Sequence, residues 1–453
     1  MPQTRHHVLL GILLLGLVLV LVCALQGRSR LVKFRATHPV PQYVDVQHAT
    51  DIPFKTDFDR WMTQVPWFMH QRAHYLGDSF PYPPLMIALL APLTLLSPPN
   101  AMLVFTLLKL PILALILWLG CRIVKRANVP LSPAALTLVA LAWVWPVSGD
   151  LQEGQTNLLM LLPLVAALYF AQRQTPWNDV FAGVLLALAM TLKVTPLIFL
   201  IYFLLRRRLL LAFCTVLGVF VWLLLPAAFF GYDQNLLWLH QWTDIMILPY
   251  ATSGQATYGG GQSIPSLLQR FLTHVPAYFY RPAGSTVEVP VYFNVLNLPP
   301  AALPWITTGV LGAIGVAGLI FLRPFTRLAT FRSSRYLVEI GLIASFMLWA
   351  SERTWIPHYV SVIIPLLAAA ALVSFPQIPL RTRKYLLGCL VLSCVGFALA
   401  FDVTKLWRPL DGPEFFRTLG VALIPSLLTA LGLMLAAPQI PKPPSPQPEA
   451  AKP

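Results

Sequence analysis

The sequence predicts an all-α polytopic membrane protein, and three observations support this fold class. Of its 453 residues, 57% are hydrophobic and only 11% are charged, whereas soluble globular proteins contain roughly 25% charged residues. Apolar runs of the length that crosses a bilayer as a helix recur along the chain. The net charge of +15 is concentrated in short loops, as in the cytoplasmic loops of membrane proteins. This composition excludes an ordinary cytosolic domain and a disordered chain.

The first apolar run extends from Val8 to Leu25 and follows Arg5. It is longer than a typical signal-peptide core and long enough to span a membrane. Cys23 follows Val22 instead of a small residue, which argues against a lipoprotein cleavage site. We therefore expect an uncleaved first helix whose N-terminus is cytoplasmic. The five cysteines lie in or beside apolar runs and indicate buried thiols, not a disulfide framework.

Further apolar runs bring the expected total to about 12 transmembrane helices. They lie at approximately 100–120, 133–147, 157–171, 180–192, 195–205, 209–230, 301–322, 336–350, 357–375, 385–401 and 418–437. The segment Pro84–Leu96 is apolar but lies between two Pro-Pro pairs and is too short to span. It is interpreted as a re-entrant or interface-lying segment.

Loop charges predict the orientation of these helices. If Pro84–Leu96 does not cross, one side holds most of the Lys and Arg residues, and the other holds nearly all carboxylates and most long loops. The basic side is then cytoplasmic and contains both termini. We expect one transmembrane domain over 1–437, with a first outer loop at 26–99 and a large outer loop at 231–300. The Pro-rich segment 438–453 is expected to be a disordered cytoplasmic tail. Topology explains the surplus charge, so nucleic-acid binding is not expected.

The first candidate functional region contains Asp57 and Asp59. The residues after Asp57 are apolar at helical spacing, which predicts an amphipathic, interfacial helix in the first outer loop. These residues are Phe58, Trp61, Met62, Val65, Phe68 and Met69. Asp57 is interpreted either as a general base at the bilayer surface or as an N-cap. On a helix the two carboxylates point about 200° apart and would not chelate one metal ion, although in an extended segment they could.

Two further regions lie at outer helix ends by this topology. The segment from Phe80 to Pro84 contains Tyr82 and three prolines, which predicts a rigid turn. The segment 150–157 places Asp150, Glu153 and the amides of Gln155 and Asn157 at a helix hairpin. Such groups commonly cap helices, and a facing pair of amides would also suit sugar hydroxyls.

Lys193 interrupts an apolar stretch, and Pro196 breaks the helix shortly after it. Charges inside membrane segments are rare and usually functional, so this lysine is a candidate for neutralising a phosphate at headgroup level. The alternative is a lysine that snorkels to the interface. Arg353 and His358 lie at another outer helix end and offer further donors, although a lone histidine there is usually structural.

Two weaker features complete the candidates. Gly259–Gly261 precede Gln262 and Ser263 and indicate a hinge or a close backbone approach, with Ser263 expected to cap a helix over 264–272. The Gly-Lys-Ser/Thr element of a phosphate-binding loop is missing from this segment. Lys109 lies inside the 100–120 helix and lacks an obvious partner.

Six short motifs follow one another in order between residues 57 and 358. They are Asp57-Phe58, Tyr82-Pro83-Pro84, Gly154-Gln155-Thr156-Asn157, Lys193-Val194-Thr195-Pro196, Gln262-Ser263 and Trp355-Ile356-Pro357-His358. With the long first outer loop, this combination resembles glycosyltransferase family 87 of the GT-C superfamily. The sequence departs from the family at Gly261, where asparagine is expected, and at Trp61, where tyrosine is common.

The resemblance implies a GT-C-type fold and an inverting glycosyltransferase that uses a polyprenyl-phosphate sugar, with mannose favoured and arabinofuranose or another pentose as the alternative. The acceptor would be a lipid-linked or glycan hydroxyl on the extracytoplasmic face. It implies Asp57 as general base and assigns a role to His358. We expect Lys193, Arg353 and His358 to bind the donor phosphate. Sugar or acceptor contacts are expected from Asp59, Tyr82, Gln155, Asn157 and Gln262. No cofactor or metal is expected, and the partners are membrane lipids, the donor and the acceptor.

The sequence leaves rival functions open. Twelve helices with broken segments also fit a transporter or lipid flippase. Against that alternative, the two halves show no internal repeat and the polar groups cluster at one face instead of at the midplane. A non-catalytic membrane scaffold would not need Lys193 at a helix break.

Overall fold

The computed structural model describes residues 2–39, 53–71, 80–249, 260–281, 287–322, 331–400 and 412–440. Gly259 of the glycine segment and residues 441–453 of the expected tail lie outside the described residues. The chain is helical in nearly all of its described elements, with one small antiparallel hairpin. The hairpin pairs β1 (Tyr278–Tyr280) with β2 (Val289–Val291).

The helices of the N-terminal half contain or flank most of the candidate functional residues. They are α1 (Pro2–Thr37), α2 (Asp57–Gln71), α3 (Pro84–Leu90), α4 (Pro98–Arg126), α5 (Pro133–Glu153), α6 (Asn157–Ala171), α7 (Pro176–Leu192), α8 (Leu197–Leu205) and α9 (Leu209–Leu224).

The remaining helices include both short elements and long apolar ones. They are α10 (Ala227–Phe230), α11 (Tyr232–Trp242), α12 (Ile264–Leu272), α13 (Leu303–Leu322), α14 (Ser334–Ala350), α15 (Ile363–Val373), α16 (Leu380–Leu399), α17 (Gly412–Thr418) and α18 (Leu423–Ala436). A 3₁₀ segment, Ile356–Val362, leads directly into α15.

Each apolar run that the sequence assigns to a membrane helix is helical in the structure. Within the described residues, seven helices are long and apolar enough to cross a membrane. Shorter apolar helices include α6, α7 and the segment Pro84–Leu95. These helices confirm the all-α polytopic class. Pro84–Leu95 is helical, and its length agrees with a segment that does not cross.

The first helix continues into the segment that the sequence assigns to the first outer loop. α1 continues to Thr37, beyond the apolar run. Its polar continuation has partners on neighbouring helices, because Arg28 Nε donates to Asn100 Oδ1 at 3.0 Å and Arg35 Nε donates to Asp59 Oδ1 at 2.9 Å. Hydropathy marks where the apolar run stops, and these contacts stabilise the helix past that point.

The large outer loop also contains regular structure. It holds α11, α12 and the β hairpin in addition to irregular segments. Ser263 begins α12 as expected, since its side chain accepts a hydrogen bond from the Ser266 backbone N–H and satisfies one of the free donors of the first turn. The predicted cap and the predicted helix at 264–272 are therefore confirmed.

Close helix packing depends on small residues at a few crossings. A Cβ atom on Gly183 of α7 would lie 2.6 Å from the Leu211 carbonyl oxygen and 2.7 Å from Cys214 Cβ of α9. Glycine therefore lets these two helices approach closely, as small residues commonly do in membrane proteins. This packing fixes the position of α7, whose C-terminus carries Lys193.

Several helix ends meet at one end of the bundle. The α5–α6 turn, the break between α7 and α8 and the segment before Ile356 lie there, beside the first turn of α2. The candidate residues of four separate chain segments are thereby brought together.

Candidate active site

The site is built on the first turn of α2. Phe58, Val65 and Phe68 are fully buried, and Trp61 and Met62 are nearly so, which confirms the amphipathic pattern. Asp57 and Asp59 lie in the first turn, where negative charge interacts favourably with the helix dipole. Because the apolar face of α2 is held in the core, the position of Asp57 is fixed by packing.

The two aspartates have different surroundings. Asp59 is fully buried, and Arg35 approaches both of its carboxylate oxygens, at 2.9 Å and 2.8 Å. The Lys55 backbone N–H also donates to Asp59 at 3.0 Å. This carboxylate ties α2 to α1. The structure places Asp59 in an ion pair that is already complete, which favours Asp57 as the reactive carboxylate.

Asp57 keeps 27% of its side chain exposed. Gln155 Nε2 donates to its Oδ2 atom, and Arg60 NH1 lies 3.7 Å from its Oδ1 atom. Burial raises the pKa of the Asp57 carboxyl, while Arg60, the Gln155 amide and Lys193 act in the opposite direction. A carboxylate with a raised pKa and an accessible oxygen suits a general base.

The hairpin between α5 and α6 positions Gln155. Gly154 closes α5 in the left-handed region, with φ of 65°, and the Gln155 backbone N–H donates to the Asp150 carbonyl at 2.8 Å. A Cβ atom on Gly154 would lie 2.3 Å from Phe58 Cβ. Only glycine therefore allows both the turn and the direct approach of α2.

Lys109 stabilises the α5–α6 hairpin through contacts with Asp150 and Gln155. Lys109 Nζ donates to Asp150 Oδ1 at 2.7 Å, to the Asp150 carbonyl at 3.1 Å and to the Gln155 carbonyl at 2.6 Å. Both side chains are fully buried. All three ammonium donors are used, so this pair holds the turn that presents Gln155 and Asn157.

Lys193 lies on the other side of the hairpin, just after α7. Its ammonium donates to Asn157 Oδ1 at 2.5 Å and lies 2.8 Å from His358 Nε2. The Trp355 backbone N–H lies 3.3 Å from the other ring nitrogen, Nδ1. Both ring nitrogens of His358 face a possible donor, and a neutral imidazole accepts at only one of them. The structure thus joins Lys193, Asn157 and His358 directly.

Tyr82 borders the same hairpin. Its hydroxyl accepts a hydrogen bond from Thr156 Oγ1 at 2.9 Å, and its ring packs edge-on against Trp61 at 5.0 Å between centroids. Only 4% of Tyr82 is exposed. The Pro-rich turn therefore joins the α2 helix to the α5–α6 hairpin.

Gln262 is fully buried and supports the loop that carries Arg353 and His358. Its backbone N–H donates to the Thr354 carbonyl at 2.6 Å, and its amide donates to the Arg417 carbonyl at 2.6 Å. Tyr359 donates to the Gln262 carbonyl at 2.7 Å. Among the described hydrogen bonds, none joins Gln262 to Asp57 or Lys193. In the supported loop, the backbone of Arg353 is a hydrogen-bond partner of His358.

Two important partners were not predicted. Arg35 lies in the segment that the sequence assigns to a loop, so the sequence does not predict its pairing with Asp59. The Lys109–Asp150 pair is predictable in principle, because a lysine inside a membrane helix needs a carboxylate or carbonyl partner and Asp150 lies among the candidate residues.

The arrangement combines a carboxylate with an accessible oxygen, a cation held by Asn157 and His358, and several amides. Such a set can remove a proton from a hydroxyl and stabilise an anionic leaving group in the same place.

Comparison with known proteins relates this chain to glycosyltransferases. A polyprenol-phosphate-mannose-dependent alpha-(1-2)-phosphatidylinositol mannoside mannosyltransferase of Mycobacterium tuberculosis (strain ATCC 25618 / H37Rv) is 32% identical over 178 residues, which are 34% of this chain and 40% of the relative. The corresponding protein of Mycolicibacterium smegmatis (strain ATCC 700084 / mc(2)155) is 30% identical over 179 residues, with the same coverage of 34% and 40%. The chain thus spans less than half the length of these relatives.

A solved structure was also compared, that of ArnT from Cupriavidus metallidurans bound to undecaprenyl phosphate. The likeness covers 95% of this chain and 78% of ArnT, with 14% sequence identity and a TM-score of 0.40. The profile of glycosyltransferase family 87 matches residues 80–351, which is more than half of the chain and includes four of the six motifs. The chain therefore belongs to glycosyltransferase family 87.

Proposed function

We propose that this membrane glycosyltransferase transfers a mannosyl residue from a polyprenyl-phosphate donor to a hydroxyl group of a lipid-linked or glycan acceptor. Asp57 is the general base and the configuration at the anomeric carbon is inverted. The reaction takes place at the extracytoplasmic face, which the loop charges favour. The observation that carries the proposal is the accessible Asp57 carboxylate in one cluster with Lys193 and His358.

The assignment of the base depends on the contrast within the first turn of α2. Arg35 pairs with both carboxylate oxygens of Asp59. Asp57, in contrast, accepts a hydrogen bond from Gln155 at Oδ2. Its Oδ1 atom is 3.7 Å from Arg60, which is beyond hydrogen-bond distance. Oδ1 is thus the atom that accepts the proton of the acceptor hydroxyl.

The chemical step follows from this placement. As the acceptor O–H gives its proton to Asp57, its oxygen forms a bond to the anomeric carbon from the face opposite the phosphate. The bond between that carbon and the phosphate oxygen breaks, and the electron pair leaves with the polyprenyl phosphate. One carboxylate is sufficient, because a phosphate leaves as a stable anion without a general acid.

Lys193 is suited to the leaving phosphate. Its ammonium contacts Asn157 and His358, neither of which is a carboxylate, and an ammonium carries three donors. Its charge is therefore oriented without being neutralised by a contacting carboxylate. Fixed charge of this kind stabilises a developing anion without reorganisation. Arg353 lies in the same loop as His358 and is proposed to contribute a further donor.

The sugar is proposed to lie between Asp57 and Lys193, against the α5–α6 hairpin. Gln155 contacts Asp57 and Asn157 contacts Lys193, so these amides border the space where donor and acceptor would meet. The printed names of the two mycobacterial relatives support polyprenol-phosphate mannose as the donor. Those matches cover only part of each protein.

The test compares wild type with Asp57→Asn and Asp59→Asn in lipid, with labelled polyprenyl-phosphate mannose and a membrane-lipid extract as acceptor. Each variant replaces one carboxylate of the same helical turn by an amide of the same shape. We expect Asp57→Asn to lose on the order of 10³-fold in transfer rate, while folded Asp59→Asn retains transfer.

Equal loss in both variants would refute Asp57 as the specific base. If wild type transfers arabinofuranose but not mannose from matched donors, the proposed donor sugar is wrong while the mechanism stands.

A further inference from the structure

The opposite ends of the same helices carry arginines that the proposed reaction does not use. Arg122 and Arg126 lie in the last two turns of α4, Arg173 follows α6, and Arg332 precedes α14. α6 begins at the candidate active site with Asn157 and has 15 residues, so it is about 22 Å long. We call these four residues the arginine cluster, and it lies at the end of the bundle away from Asp57.

The cluster converges on one aromatic ring, that of Tyr169. Arg126 Cζ lies 3.7 Å from the ring centroid, and its NH2 group donates to the Tyr169 hydroxyl at 2.6 Å. Arg173 Cζ lies 5.9 Å from the same centroid, and Arg122 is a further hydrogen-bond partner of Tyr169. Arg332 donates to the Gln172 carbonyl at 3.3 Å and is close enough to repel Arg126.

Some other arginines at this end have carboxylate partners, which distinguishes them from the arginine cluster. Arg206 pairs with Glu339 and Arg208 with Asp179. In the part of the chain that the structure describes, no ion pair joins a carboxylate to any member of the arginine cluster. Like charges this close repel one another, so a bound anion would be stabilised by all of them at once.

The position of the cluster favours a lipid as the source of that anion. Trp118 precedes Arg122 by one turn and is 52% exposed, and Trp177 at the start of α7 is 75% exposed. Exposed tryptophans at helix ends are typical of the membrane–water interface. The guanidinium groups therefore lie at the depth of lipid headgroup phosphates, where basic clusters between helices bind anionic lipids.

We propose that the arginine cluster binds the phosphate groups of an anionic phospholipid, in the leaflet opposite the active site. The planar guanidinium groups of Arg122, Arg126 and Arg173 offer paired donors that match phosphate oxygens. Arg126, held by Tyr169 in hydrogen-bond and ring contacts, forms the fixed part of the site, and the exposed Arg122, Arg173 and Arg332 close around the headgroup.

The test measures binding of cardiolipin to the purified full chain in an uncharged detergent. Wild type is compared with Arg122→Gln/Arg173→Gln and with a control of equal charge loss, Arg381→Gln/Lys384→Gln, whose residues are exposed at the start of α16. Inorganic phosphate and phosphatidylcholine are titrated in parallel. We expect cardiolipin to raise the Tm of wild type and of the control, and the cluster variant to bind it roughly tenfold more weakly.

Three results would overturn the proposal: equal weakening in both double variants, no binding by wild type, or the same rise in Tm with inorganic phosphate as with cardiolipin. Size-exclusion profiles and Tm without cardiolipin establish whether the variants are folded. If the double variant is unfolded, Arg173→Gln alone is used, because Arg173 is exposed; unchanged cardiolipin affinity in that variant would then count against the cluster. These readouts are independent of transferase activity.

Discussion

The regions around Lys109 and Lys193 place a cation on either side of the same hairpin, and they use it differently. Lys109 is fully buried, and its donors all meet oxygens of Asp150 and Gln155. Lys193 contacts only Asn157 and His358 in the described hydrogen bonds. The charge of Lys109 is neutralised and all its donors are used, so this lysine stabilises the fold. The charge of Lys193 is oriented but not neutralised by a contacting carboxylate, so it is available to an anionic substrate.

The largest expected effect concerns Lys109, whose three donors are all used. Lys109→Met leaves the Asp150 carboxylate buried without its cation, which should cost about 3–5 kcal/mol of folding free energy. Thermal unfolding in detergent measures the loss. Lys109→Met/Asp150→Asn removes the stranded charge as well and should recover part of the stability. A single variant as stable as wild type would contradict the role assigned to this pair.

Lys193→Met should lower the rate of transfer by about 10²–10³-fold, the effect of removing one fixed donor from a developing anion. Its thermal stability should remain close to wild type, since no contacting carboxylate is left without its cation. Steady-state kinetics and unfolding are measured on the same preparation. A large fall in Tm with unchanged kcat in the folded fraction would make Lys193 structural, like Lys109.

The pH dependence gives a further distinction. Burial raises the pKa of Asp57, so the proposed base is protonated at a higher pH than an ordinary aspartate. Below that pKa, kcat/KM should fall about tenfold per pH unit, because the ionised fraction falls by that factor. A pH–rate profile measures it; activity that stays constant down to the ordinary range of aspartate would contradict this environment for Asp57.

The raised pKa of Asp57 also determines how folding stability depends on pH. A raised pKa in the folded state means that protonated Asp57 favours folding below the unfolded-state pKa, and that this contribution is lost as pH rises through the folded-state pKa. Asp57→Asn should therefore be at least as stable as wild type at neutral pH, with the difference disappearing at acidic pH. Unfolding midpoints measured across this pH range test the expectation.

The smallest expected effect is that of Tyr82→Phe. The change removes the acceptor of the Thr156 hydroxyl and should cost about 1 kcal/mol of stability. If Tyr82 also contacts sugar or acceptor, as the sequence predicts, KM rises as well. An unchanged KM with lowered stability would assign Tyr82 to the support of the hairpin.

Much of the fold was predictable because membrane helices follow length and hydropathy. The apolar runs predicted the helices, and the period of Phe58, Trp61 and Val65 predicted α2. The extension of α1 to Thr37 was not predictable in this way, because it depends on contacts of Arg28 and Arg35 with distant residues. Local composition records the hydrophobic layer, but not which polar residues find partners beyond it.

The candidate site was predictable in part for a similar reason. Asp57, Gln155, Asn157, Lys193 and His358 were recognised as unusual polar residues at helix ends, and the structure brings them together. Their individual roles in binding remain predictions. The sequence could not distinguish Asp57 from Asp59 by environment, because that difference depends on Arg35 from another helix. The sequence groups Gln262 with the sugar contacts, whereas its buried amide donates to the Arg417 carbonyl.

The contact between Gly154 and Phe58 has a consequence for how this enzyme can change over generations. The proposed base lies on α2, and Gln155, which orients it, lies in the α5–α6 hairpin. The two elements are so close at Gly154 that a Cβ atom there would lie 2.3 Å from Phe58 Cβ. Any substitution at 154 acts as a spacer that displaces α2, even though residue 154 itself has no side chain to contribute. Natural or laboratory diversification of donor and acceptor preference must therefore proceed through neighbouring positions, with 154 kept as glycine throughout.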